Sequence, residues 1–257
     1  MKTIILCGGK GTRLQEETEY KPKPMIAIGG VPILVHIMKI YAYYGHKEFI
    51  LCLGYKADVI KDYFLTLSNY SQDFEYDFSN DEIKYLSGHH GIDYKITFAN
   101  TGEEALSGER IKIVGEKYIN DEQFMVTYGD GVSNVDVQKL IEFHNQHNQD
   151  SVGTITGVHP STKYGLLKYD ENFKINKFEE KPQLQEYING GFMIFENSAL
   201  EYVRDGEMFE DALQRMTEAG KLNINIHDDF WHSMDTYKDY KDLNKLWKEN
   251  PKWKVWE

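Results

Sequence analysis

An α/β fold, with helices flanking a mostly parallel sheet, is the class this sequence predicts. Three observations carry that prediction. Short apolar runs alternate with helical patterns from residue 2 to about residue 160, and a glycine-rich turn follows the first of those runs. The chain, at 257 residues with 41% hydrophobic content, is also long enough to bury a large core.

The first run, TIILC at residues 3–7, reads as a buried strand, and the glycine turn GGKGTRL follows it directly. Next, PILVHIMKIYAYYG places Leu34, Ile37, Met38 and Tyr41 on one helical face, with Gly45 as its stop. EFILCL then reads as a strand, residues near 56–66 as a helix, YKITFA as a strand, residues near 107–118 as a helix, and QFMVTY as a strand. A further helix begins near Asp136, with Val137, Leu140, Ile141 and His144 on its inner stripe, and the strand SVGTITGV follows. Residues 67–93 break this rhythm with a polar, Tyr- and Asp-rich segment that reads as a hairpin-like excursion from the sheet. After Pro160 come the short strands GLLKYD, KINKFEE and GGFMIF, helices near 197–219, the strand LNINIH and a final helix near 237–249. This second part is expected to pack as an appended mixed lobe. With no repeat or flexible linker in view, residues 1–257 are expected to form a single domain, a core over 1–160 and a smaller α/β lobe over 161–257.

Charge narrows the partners. Twenty-nine Lys and Arg against 41 Asp and Glu give a net charge of −12, which argues against nucleic acid or an anionic membrane surface. A phosphate ligand would therefore have to meet a local cluster of cations. No stretch is long and apolar enough to span a bilayer, and no secretory signal is visible. Cys7 and Cys52 both sit in apolar strand-like runs, which suits reduced thiols and a cytoplasmic location better than a disulfide scaffold.

Several stretches could carry chemistry. The glycine turn lacks the Gly-Lys-Ser/Thr ending of a Walker loop, and Leu14 stands where a dinucleotide fingerprint needs its third glycine. What it offers is successive backbone N–H groups, the Thr12 hydroxyl and the Arg13 guanidinium, a set that can cradle a triphosphate. Lys23, between prolines in KPKPM, is a candidate transition-state cation. Asp130, in VTYGDG, stands at the C-terminal end of a strand, where open α/β sheets bind ligands. Asp235, in FWHSMDTY, makes a metal pair with Asp130 conceivable, but it equally reads as the cap of the last helix. Glu180 and Lys181 in FEEKPQ read either as ligands of a phosphorylated sugar or as a surface charge run. Asn189 in INGGF reads as a ligand-facing residue or part of a bulge. His89, His90, His227 and His232 lack metal-site spacing, and G-x-S-x-G is absent.

Taken in order, GGKGTRL, KPKPM, TYGDG, FEEKP, NGGF and WHSMDT resemble the sugar-1-phosphate nucleotidylyltransferases nearly end to end, and LSGERIK with the Trp-rich ending PKWKVWE narrows the resemblance to their cytidylyl-transferring members. The resemblance implies a Rossmann-like, mostly parallel mixed sheet with a nucleotide-binding core at 1–160 and a sugar-phosphate lobe after it. It implies cytidylyl transfer from CTP to glucose 1-phosphate with Mg²⁺ as cofactor, and a homo-oligomer. It implies nucleotide contacts from Leu6, Cys7, Gly8, Gly9, Lys10, Gly11 and Thr12, and from Ser107, Arg110 and Asp130. Arg13 and Lys23 would sit on the triphosphate, Asp130 and Asp235 would hold the metal, and Glu180, Lys181 and Asn189 would face the sugar phosphate, with Arg13, Lys23 and Lys181 catalytic. The same chemistry with another nucleotide or acceptor is the alternative, and a non-catalytic sugar-nucleotide-binding protein the alternative of another class.

Overall fold

The structure, a computed structural model, describes residues 1–11, 14, 18–70, 73–86, 93–120, 122–162 and 164–256, the side chains of residues 68–70 excepted. The elements follow in chain order as strands β1 (Thr3–Leu6), β2 (Ala27–Ile28) and β3 (Val31–Pro32), helix α1 (Ile33–Tyr43), strand β4 (Glu48–Leu53) and helix α2 (Ala57–Tyr70). Strands β5 (Phe74–Asp77), β6 (Glu82–Tyr85) and β7 (Lys95–Asn100) precede helix α3 (Ser107–Tyr118), strands β8 (Gln123–Tyr128) and β9 (Gly131–Ser133), and helix α4 (Val137–His147). Strands β10 (Gly153–Val158), β11 (Leu166–Tyr169), β12 (Ile175–Glu179) and β13 (Ile188–Glu196) lead to helix α5 (Phe209–Glu218). Strands β14 (Leu222–His227) and β15 (Trp231–Ser233) and helix α6 (Tyr237–Glu249) close the chain.

A seven-stranded sheet in the order β14-β10-β13-β8-β1-β4-β7 forms the centre. β13 alone runs against its neighbours; every other pairing in the sheet is parallel. Because successive side chains of a strand point to opposite faces, a sheet covered on both sides needs apolar residues at consecutive positions. The central strands supply them. Ile4, Ile50, Cys52, Phe124, Val126, Met193 and Phe195 enter one buried cluster with residues of α3 and α5. Their neighbours Ile5, Phe49, Leu51, Met125, Phe192 and Ile194 enter the other, with residues of α1, α4 and α6. Trp253, fully buried, stacks on Phe230 and seals the second cluster beyond the last helix.

Within the polar excursion, residues 74–85 form a hairpin, β5 against β6, while residues 67–70 still belong to α2. The lobe expected after residue 160 shares the central sheet, since β13 and β14 both lie in it. The chain returns there because IFE and its neighbours carry residues buried on both faces, which only a central strand can satisfy. The hairpin β11–β12 stands apart as its own two-stranded unit.

Candidate active site

The C-terminal ends of the parallel strands and the N-terminal end of antiparallel β13 open on one edge of the sheet, and Leu6, Cys7, Asp130 and Asn189 among the sequence candidates lie there. Pairing of β1 continues one residue past its end, where the Cys7 N–H donates to the Cys52 carbonyl at 3.1 Å. The glycine turn then leaves the sheet. Its course is fixed from below by Arg110, a buried residue of α3. The guanidinium donates to the carbonyls of Gly8 (3.2 Å), Leu53 (3.1 Å), Gly102 (2.8 Å) and Glu103 (3.2 Å), and to the Thr101 hydroxyl (2.6 Å). Burial pulls the Arg110 pKa below its ordinary value. Burial pushes the Cys7 thiol up, so it stays protonated and serves packing rather than nucleophilic attack.

Lys23 enters from the KPKPM turn, whose short 3₁₀ helix spans Lys23–Met25 with prolines at 22 and 24. Pro24 packs against the end of β8: a β-carbon at Gly129 would stand 2.8 Å from the Leu6 carbonyl oxygen and 3.0 Å from Pro24 Cγ. Only glycine admits this approach, and it sets the next residue, Asp130. The Lys23 ammonium donates to Asp130 Oδ2 at 2.6 Å and to Asp235 Oδ1 at 2.9 Å. Burial works against that charge, but the carboxylates outweigh it and the Lys23 pKa is raised.

How Asp235 reaches Asp130 is not readable from spacing. Strands β9 and β15 pair antiparallel with Ser233 opposite Gly131, and the Met234 N–H donates to the Asp130 carbonyl at 2.8 Å. This ribbon ties the two aspartates together. Asp235 does not cap the last helix: Thr236 does, in a capping box with Asp239. Asp235 is left to accept from Lys23 and from the Ser233 hydroxyl at 2.8 Å. Among the described residues no cluster of three or more His, Cys, Asp or Glu exists that would enclose a metal. Asp130 and Asp235 nonetheless fit Mg²⁺, which binds through one or two carboxylates plus phosphate oxygens and water. A cation, the Lys23 ammonium, already lies between their oxygens.

Leu6, Cys7, Gly9, Gly11, Lys23, Tyr128 and Asp130 line one cavity. Lys10 pairs with Glu104 at 2.6 Å, bridging the glycine turn to the loop after β7. Ser107 opens α3 and its hydroxyl accepts from the Phe209 N–H at 2.8 Å and contacts Glu210 Oε2 at 3.4 Å. Glu210 Oε1 accepts from the Tyr128 hydroxyl at 2.7 Å, and Asn189 Nδ2 donates to that same hydroxyl at 3.4 Å. Burial first, then the Glu210 carboxylate, pushes the Tyr128 pKa far up, so the phenol stays neutral. Tyr128 and Glu210 are thus the residues that sequence reasoning missed. Tyr128 lay inside a quoted motif, whereas nothing in the sequence marked Glu210.

INGGF lies at a bulge. β10 and β13 shift register between Ile155 and Gly157, and the Asn189 side chain accepts from the Gly191 N–H at 2.8 Å with its amide nitrogen turned to Tyr128. Glu180 and Lys181 follow β12 on the surface and pair with each other at 2.8 Å, and Lys181 takes φ +47°. The structure does not join them to Lys23 or Asp130 among the described contacts. Thr12 and Arg13, and the histidines at 89 and 90, lie outside the described residues.

Comparison with known proteins agrees with this arrangement. The family model described as nucleotidyl transferase matches residues 2–250. A Bacillus subtilis protein named probable glucose-1-phosphate cytidylyltransferase is 42% identical over 260 residues, covering 100% of both chains. The glucose-1-phosphate cytidylyltransferase of Salmonella typhi is 38% identical over 262 residues, again covering 100% of both. Among solved structures, HddC from Yersinia pseudotuberculosis complexed with GMP-PN superposes with a TM-score of 0.66 at 27% identity, over 96% of this chain and 99% of that one. The chain belongs to the nucleotidyl transferase family, in the branch of the glucose-1-phosphate cytidylyltransferases.

Proposed function

We propose that the protein joins CTP to α-D-glucose 1-phosphate, releasing pyrophosphate and giving CDP-glucose. The observation that carries this reading is that Lys23 and Asp130 line the cavity floored by the glycine turn, with Asp235 joined to them through the Lys23 ammonium. The relatives' names supply the nucleotide and the acceptor.

The acceptor phosphate is already an anionic nucleophile, so the reaction needs no general base. It needs two anions brought in line and their repulsion offset, which is positioning and electrostatics. Backbone N–H groups of Gly8, Gly9 and Gly11 take the triphosphate, with Lys10, Thr12 and Arg13 beside them. Leu6 and Cys7 pack below the nucleotide, and Ser107 and Arg110 fix its base end, Arg110 by holding the turn in shape. Lys23 and Arg13 stabilise charge on the α-phosphate and the departing pyrophosphate. Glu180 and Asn189 hold the sugar, and Lys181 aims its phosphate. Asp130 and Asp235 hold Mg²⁺, which when bound supplies positive charge to the reacting phosphates.

A homo-oligomer belongs to the same reading. The hairpin β11–β12 leaves Leu167, Phe173, Ile175 and Phe178 at 54 to 84% exposure, an apolar surface that a second copy would cover. No helix among the described residues is long and apolar enough to cross a membrane, and the two buried cysteines are free, which suits the cytoplasm.

Pyrophosphate release, measured with glucose 1-phosphate and Mg²⁺ against CTP, UTP, dTTP, ATP and GTP in parallel, tests the reading. Release with CTP far above the rest is expected. Equal release with another nucleotide would reassign the donor, and silence with every nucleotide would reject glucose 1-phosphate as acceptor.

A further inference from the structure

The carboxylates of Asp130 and Asp235 face one point, and the Lys23 ammonium fills it, 2.6 Å from one and 2.9 Å from the other. Only 13% of the Lys23 side chain is exposed. A divalent ion bound to both carboxylates would need the space that the ammonium fills and would be repelled by its charge. Lysine and metal therefore compete for one seat.

The seat also has an exit. The prolines at 22 and 24 stiffen the backbone on either side of Lys23, while its four-carbon stem keeps rotatable bonds of its own. That stem runs beside the glycine turn: a β-carbon at Gly11 would lie 3.1 Å from Lys23 Cβ and 3.7 Å from Cδ. Gly9, Gly11, Lys23 and Asp130 line the same cavity. A polyphosphate cradled by that turn would therefore offer the ammonium new oxygens within a short swing.

We propose that Lys23 is a built-in occupant of the metal seat. In the nucleotide-free protein its ammonium blocks divalent cations from Asp130 and Asp235, and an incoming polyphosphate draws it away and so opens the seat to the metal. The inference rests on the reading of Asp130 and Asp235 as metal ligands given above. It implies that metal and nucleotide bind with positive coupling, and that free metal does not load the empty protein.

The test uses Mn²⁺ alone, titrated without nucleotide into the wild-type protein and into Lys23→Met, with free Mn²⁺ read by electron paramagnetic resonance. Lys23→Met is expected to bind one Mn²⁺ at least about tenfold more tightly than wild type, and Lys23→Met with Asp130→Asn is expected to lose that gain. A non-hydrolysable CTP analogue should tighten Mn²⁺ binding more in wild type than in Lys23→Met. Lys23→Gln gives a second variant, and the rise of its melting temperature with Mn²⁺, absent from wild type, gives a second readout. Equal or weaker Mn²⁺ binding in both variants, or a gain that survives Asp130→Asn, would overturn the proposal. Pyrophosphate release by the wild-type protein is scored separately, so a failure of the function reading is distinguishable from a failure of this one.

Discussion

Arg110 lies directly beneath Gly8: a β-carbon at residue 8 would stand 2.2 Å from an Arg110 guanidinium nitrogen. That overlap cannot be relieved cheaply, because the guanidinium is already fixed by the carbonyls around it. Gly8→Ala should therefore displace the turn and raise the KM for the nucleotide by about tenfold or more, as a small misplacement costs when geometry carries the rate. Arg110→Lys should destabilise the fold by about 2–3 kcal/mol in denaturant titration, since an ammonium cannot reproduce the planar fork and leaves buried carbonyls unpaired. Unchanged stability in Arg110→Lys would remove the guanidinium as the prop of the turn.

Gly129→Ala tests the neighbouring approach. Its β-carbon would meet the Leu6 carbonyl and Pro24, neither of which is the far end of a flexible side chain. The end of β8 must then shift and take Asp130 with it. Turnover is expected to fall by about 10²-fold, with far-UV circular dichroism unchanged. Near-normal turnover would show that the position of Asp130 tolerates the shift.

Sequence and structure divide the work of finding this site in a specific way. The strands and helices were legible because apolar residues at consecutive positions mark strands covered on both faces, and the three-to-four spacing marks the helices. α3, β8, β14 and α6 fall where their patterns place them. The glycine turn, Lys23 and Asp130 were legible because each lies in a local motif at a strand end. Two things were not. Asp235 meets Asp130 through the β9–β15 ribbon, a pairing of short strands with no periodicity of their own. Glu210 meets Tyr128 across 82 residues, and a glutamate in the first turn of a helix looks like any other. Long-range contacts between single polar residues leave no trace in local pattern. The place of β13 inside the sheet escaped for a related reason, because strand order is set by packing rather than by chain order.

Tyr128→Phe isolates the hydroxyl that accepts from Asn189 and donates to Glu210. The ring and its packing remain, so the melting temperature should change little. Asn189 loses an acceptor, and Glu210, which the Ser107 hydroxyl also contacts, loses a donor. The loss of one such hydrogen bond, roughly 1 kcal/mol, should raise the KM for the sugar phosphate by about fivefold while kcat changes less. A drop confined to kcat would place Tyr128 in the chemical step instead.

Away from the site, Glu196 gathers a partly buried polar network that makes stability depend on pH. Its Oε1 accepts from Gln123 (2.9 Å), His144 Nε2 (3.0 Å) and Asn148 (2.7 Å), while His144 Nδ1 meets the Thr154 hydroxyl at 2.8 Å. Burial works to raise the Glu196 pKa, but these donors outweigh it and hold the carboxyl below its ordinary range. For His144, burial dominates and lowers the pKa below the ordinary 6.5. Both shifts have the same sign in the fold. A histidine depressed in the native state lets the unfolded chain take up a proton first, so its contribution is complete above about pH 6.5 and fades as the pH drops below that value. A depressed carboxyl adds its own loss further down, as the pH falls below the unfolded carboxyl value of about 4.5 toward the lower native one. His36 and His46, also depressed by burial, titrate in the histidine window too. The melting temperature should therefore fall from pH 7 toward pH 5, and His144→Gln should make that slope shallower without abolishing it. A slope identical to wild type would remove His144 from the acid-sensitive network.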